Sequence, residues 1–126
     1  KYTTEEKDSF ANQTEKRLKF FAIRCTHVYK SLPEKDYVAQ HYGKQLVRAS
    51  SSAAANYRAA RRGRSKREFF AKISIVIEEL DESIFWMEML ILAEILTEKK
   101  LSELMNEGEE LLKILSKARS TTYGYT

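Results

Sequence analysis

The sequence predicts an all-α fold, an antiparallel up-down-up-down four-helix bundle. Apolar residues recur at spacings of three and four through most of its 126 residues. Only one proline, Pro33, and four glycines interrupt the chain. The links between periodic stretches are short, so successive helices must fold back on one another.

The first helix is expected at about residues 4–30. Thr3 and Glu6 have the spacing of a capping box. Phe10, Leu18, Phe21, Cys25, Val28 and Leu32 form its core-facing stripe. Pro33 stops it, because proline supplies no N–H to the helical ladder. The second helix is expected at about 34–62, with Val38, Tyr42, Leu46, Ala49, Ala53 and Ala60 inward. Its middle, SSSAAA at 50–55, is built of small residues that let neighbouring helices approach. The stripe keeps its phase through this run, which favours helix over a flexible linker.

Gly63 is expected to end the second helix, and Ser65 with Glu68 to cap the third. That third helix is placed at about 66–96, with Phe70, Ile73, Ile77, Leu80, Ile84, Met87 and Ile91 inward. Phe69, Val76, Phe85, Trp86, Met89, Leu90 and Leu92 widen its apolar surface beyond one bundle core, which points to a subunit interface. The fourth helix is expected at about 100–119, with Leu101, Leu104, Leu111, Leu115 and Ala118 inward and a frayed tail from Ser120. All 126 residues form one domain.

Charge is unevenly spread. The chain carries 22 Lys and Arg against 18 Asp and Glu. From Tyr37 to Arg67 there is no acid, while Lys44, Arg48, Arg58, Arg61, Arg62, Arg64, Lys66 and Arg67 fall there. The remainder is mildly acidic. At 100° per residue Lys44, Arg48, Arg58 and Arg62 share the side of helix two opposite its apolar stripe. A solvated face is the bland reading, and docking of an acidic protein is another. Arg48 lies level with Asp81 of helix three and is a candidate for pairing with it. Glu68 is the one acid seen near the turn, so the rest of the tip charge is expected to be free. Arginine's planar fork suits phosphate, which favours RNA or DNA bound through its backbone, in a salt-sensitive way. Tyr57, Phe69 and Phe70 border the patch and are more simply core than base-stacking groups.

Several function classes are excluded. No Glu-x-x-His pair supports a di-iron centre, since Arg24 and Val38 stand three residues before His27 and His41. Glycine-rich phosphate loops and zinc spacings are absent. No enzymatic activity, metal or cofactor is expected. Cys25 is the single cysteine, so no internal disulfide can form. A polar start, KYTTEEKDSF, and charge-broken apolar runs predict no signal peptide, no membrane span and a cytoplasmic setting.

The pattern resembles the 23S rRNA intervening sequence proteins, also labelled S23 ribosomal proteins, over about residues 5–119. The residues that carry the resemblance are Gln45-Leu46, Arg48-Ala49-Ser50, Ala55-Asn56, Ser65-x-x-Glu68-Phe69, and EELDESIFWMEML with Glu79, Asp81-Glu82-Ser83 and Trp86. Many members read Glu-Gly where this chain has Ala59 and Ala60, so no role of that pair carries over. The resemblance implies a homopentameric ring of bundles. It extends to the accessory variability proteins of diversity-generating retroelements, which implies nucleic acid and a reverse transcriptase as partners.

Overall fold

A computed structural model describes residues 2–123, which form four helices: α1 (Thr4–Lys30), α2 (Tyr37–Arg61), α3 (Lys66–Leu92) and α4 (Glu98–Thr122). Each helix packs on its neighbour in chain order, and α1 closes on α4. Among the described residues the backbone of α1 does not come close to that of α3, nor the backbone of α2 to that of α4. The helices therefore occupy the corners of a square, with α1 and α3 on one diagonal.

Local chemistry sets the ends. Thr3 Oγ1 accepts from the Glu6 N–H at 3.1 Å, and the Glu6 carboxylate accepts from the Thr3 N–H at 2.8 Å. The α1 capping box is thus complete. Helix α2 starts three residues later than expected. Residues 33–36 make a turn, and Asp36 caps α2 by accepting from the Ala39 N–H at 3.0 Å. Ser65 caps α3 in the expected way, but Glu68 Oε1 accepts from the Arg64 N–H rather than from the Ser65 N–H. Gly63 follows the α2 cap residue Arg62 without a left-handed backbone. What glycine supplies there is space, because a Cβ would stand 3.1 Å from the Ala60 carbonyl oxygen.

Helix α3 ends at Leu92, four residues earlier than expected. Glu94 has φ 60°, its N–H donates to the Ile91 carbonyl, and the Ile95 N–H donates to the Leu90 carbonyl. This is a Schellman stop with glutamate in the left-handed position where glycine is usual. No glycine marks it in the sequence, so periodicity overran it. Glu94→Gly removes the Cβ strain and is expected to raise stability by up to about 1 kcal/mol, read as a shifted urea midpoint at unchanged slope. Thr97 caps α4, which continues past Arg119 to Thr122. The part of the expected frayed tail at 124–126 lies outside the described residues.

The core runs the length of the square. Leu18, Phe21, Leu46, Ile73, Leu80, Met87, Leu90, Leu101, Leu111 and Leu115 are all but fully buried. Ser50, Ala53 and Ala54 of the small-residue run are buried within a continuous α2, and α2–α3 is the broadest helix contact. Buried hydroxyls close on their own helices: Thr14 donates to the Phe10 carbonyl and Ser83 to the Glu79 carbonyl. Cys25 is buried against Ser50, and burial pushes its thiol up to about 12.

Two inward and two interface assignments differ from those expected. Phe10 and Val38 are exposed rather than inward. At the start of α2 the buried place goes to Ala39, one residue on, because the helix begins at Tyr37 and α1 approaches closely. Phe10 lies one turn before Thr14, the first buried residue of α1. Val76 and Leu90, expected at a subunit interface, are fully buried in the protomer's own core. Helix α3 touches both α2 and α4, so two faces of it are already consumed.

Candidate nucleic-acid interface

The basic residues divide into two groups once the helices are assembled. Arg48 reaches across to α3. It bonds Glu79 at 3.4 Å and makes a close contact with Glu82, rather than with the expected Asp81. Glu82 also accepts from Trp86 Nε1 at 3.0 Å. Trp86 first, and Arg48 second, hold the Glu82 carboxyl below the usual carboxylate range. Arg48 is therefore a cross-helix clasp and leaves the candidate phosphate set. Asp81 falls on the outer face of α3, one position too far round the helix.

Arg61 is likewise engaged. Its Nη1 lies 2.9 Å from Glu15 of α1, whose carboxyl is held low by Lys19 first and Arg61 second. The sequence reading saw Glu68 as the one acid near the turn. Glu15 could not be seen, because α1 reaches this end only through the tertiary fold. Beyond Glu15, α1 rises about 16 Å further to Thr4, bringing Glu5, Glu6 and Asp8 to the same end of the bundle.

What remains is a compact set. Arg58 and Arg62 of the α2 end, Arg64 of the link, and Lys66 and Arg67 of the first α3 turn are exposed and have no carboxylate partner among the described residues. Lys44 is also exposed, but sits in the N-terminal third of α2, far from this group. The tip cations crowd the α3 N-terminus, where backbone N–H groups already present partial positive charge. Glu68 is the acid of that first turn. An anion placed there would relieve the repulsion and meet donors from both backbone and guanidinium.

The bordering aromatics are spoken for. Tyr57 is buried, and burial raises its hydroxyl pKa. Phe69 packs on the core. Phe70 lies 5.3 Å from the Tyr123 ring and 5.9 Å from the Arg119 guanidinium. The site offers charge at a corner, with no aromatic platform for a base.

The other expected surface, on α3, also narrows. Trp86 is held within its own protomer, with His41 edge-on at 5.8 Å, Tyr42 at 5.7 Å and Phe85 at 4.8 Å. Met89 is half-buried, and Phe85 is exposed. Leu92, the other exposed residue of the widened stripe, is more exposed still. Sequence reasoning also missed a clasp between α1 and α4, in which Arg17 donates two bonds to Glu107, at 3.0 and 2.7 Å, and one to Glu110. These partners lie some ninety residues apart, and no local pattern links them. No helix among the described residues is long and apolar enough to cross a membrane.

Comparison with known proteins agrees with this architecture. No curated protein matches the chain. A crystal structure of a protein with unknown function from the S23 ribosomal protein family, from Bacteroides thetaiotaomicron VPI-5482, superposes with a TM-score of 0.81 at 30% identity, covering 88% of this chain and 98% of that one. The family model described as 23S rRNA-intervening sequence protein matches residues 8–117, from the first turns of α1 to the last turns of α4. The stretches singled out in α2 and α3 are thus part of a likeness that spans all four helices, and the chain belongs to the 23S rRNA-intervening sequence protein family.

Proposed function

We propose that this chain is a non-enzymatic, oligomeric nucleic-acid-binding protein of the cytoplasm, gripping phosphates through the α2–α3 tip. The observation that carries this reading is the unpaired cluster of Arg58, Arg62, Arg64, Lys66 and Arg67 around the α3 N-terminus. Such a site binds backbone phosphates and selects little sequence. Assembly of several copies, five by the resemblance stated above, repeats the tip and multiplies its avidity for a polyanion. In its finer form, which rests on that resemblance alone, the protein is an accessory to a retroelement reverse transcriptase.

RNA and DNA binding across a salt series tests the site, with wild type beside Arg58→Glu/Arg62→Glu/Arg64→Glu. These side chains are exposed, so the variant keeps the fold of the wild type, as circular dichroism will report. The wild type is expected to bind with an affinity that falls steeply with salt. The variant is expected to bind weakly, its log–log slope shallower by about one unit per lost contact. Equal binding by both proteins would overturn the tip as the site. Binding by neither near physiological salt would favour the second use of such a tip, docking on an acidic protein.

A further inference from the structure

Two outward faces of the bundle carry opposite charge around an apolar centre. On α1, residues 16–33 contain no Asp or Glu. Phe20 is 57% exposed and Ile23 51%, flanked by Lys16, His27 and Arg24, whose Nη2 lies 3.8 Å from the exposed Glu103 of α4. They lie on the side of the helix opposite Leu18 and Cys25. Lys16 Nζ stands 5.9 Å from the Phe20 ring centroid. On α3, residues 73–98 contain no Lys or Arg. Phe85 is 45% exposed and Leu92 77%, with Glu78, Asp81 and Glu88 around them. This face too is turned away from the core residues of its helix, Leu80, Met87 and Leu90.

Neither face can pair with itself. Two copies of the α1 face would bring cations together, and two copies of the α3 face would bring carboxylates together. Joined to each other, the faces match in charge at the rim and in apolar groups at the centre. Helices α1 and α3 stand on one diagonal of the bundle, so the faces look outward from opposite corners and cannot meet within a chain.

We infer that the cationic, apolar face of α1 docks on the acidic, apolar face of α3 in a second copy of this chain. The inference rests on the oligomer reading above and names its two surfaces. The contact is heterologous: each copy keeps one unused face of either kind, so addition continues until a rotation closes the set. The α2–α3 tip lies outside the contact and stays open to an anion.

Charge reversal tests this in sedimentation velocity of the full chain. The α1 variant is Lys16→Glu/Arg24→Glu, and the α3 variant is Asp81→Lys/Glu88→Lys. All four positions are exposed, and circular dichroism checks that each variant is folded. Each variant alone is expected to assemble at least about 100-fold more weakly than wild type. Joining all four substitutions in one chain restores the match and is expected to recover the wild-type oligomer. Assembly of either single-face variant like wild type overturns the α1–α3 contact and leaves the oligomer reading intact. Loss in both without recovery in the four-fold variant also overturns it, since the faces would not be partners. A wild type that stays monomeric at high concentration overturns the oligomer reading itself, and this contact with it.

Discussion

Phe21→Ala is expected to lower the unfolding free energy by about 3–5 kcal/mol, a large part of the stability of a domain this size. Phe21 is fully buried midway along α1. A Cβ built on Gly108 of α4 would stand 3.2 Å from the Phe21 ring and 3.2 Å from Ile84 of α3. The ring therefore lies against bare helix backbone and bridges three helices. Glycine in a helix interior costs about 1 kcal/mol relative to alanine, and here it makes room for the phenyl ring. The two positions are coupled. In wild type, Gly108→Ala gains helix propensity but crowds the ring. In the Phe21→Ala background the crowding is gone, so Gly108→Ala is expected to stabilise by close to the full 1 kcal/mol. Urea unfolding of the four proteins gives the cycle. If Phe21→Ala cost less than about 1 kcal/mol, Phe21 would not hold the core in the way its burial requires.

Leu90→Asp is expected to unfold the protomer, whereas Phe85→Asp, five residues away, is expected to leave it folded. Leu90 is fully buried, and its carbonyl accepts the N–H groups of Ile95 and Leu96 just past the end of α3. A carboxylate there has no partner and loses the leucine's buried area, together more than about 4 kcal/mol. Phe85 is half-exposed and gives up an edge-on contact with Trp86, so its substitution changes stability by within about 1 kcal/mol. It also removes an apolar group from the α3 face, so the docking contact inferred above weakens while the fold persists. Thermal melts followed by circular dichroism separate the two variants, and sedimentation reads the second effect. Equal melting of both would mean that α3 does not divide into core and outer face as described.

Local signals in the sequence determined most of the architecture. Four helices, their order, the Thr3 and Ser65 caps, the packing role of the small residues in α2 and the buried position of Cys25 follow from interactions among residues a few places apart, or from periodicity along one helix. Where an end was misplaced, the signal was atypical: Glu94 takes a backbone position usually held by glycine, and Asp36 caps α2 three residues after Pro33 has already stopped α1. The acid-free and base-free stretches of α1 and α3 could also have been read by counting charge helix by helix. Tertiary structure decided which charges are free. Arg48 and Arg61 have the same local surroundings as Arg58 and Arg62, yet the first pair meets carboxylates of α3 and α1. It also decided that Val76 and Leu90 face a neighbour in the same chain and Phe85 does not. Periodicity states that a side of a helix is apolar, but what covers that side depends on the angle and height at which distant helices meet. Those are set by packing over the whole bundle, and no short stretch of residues contains them.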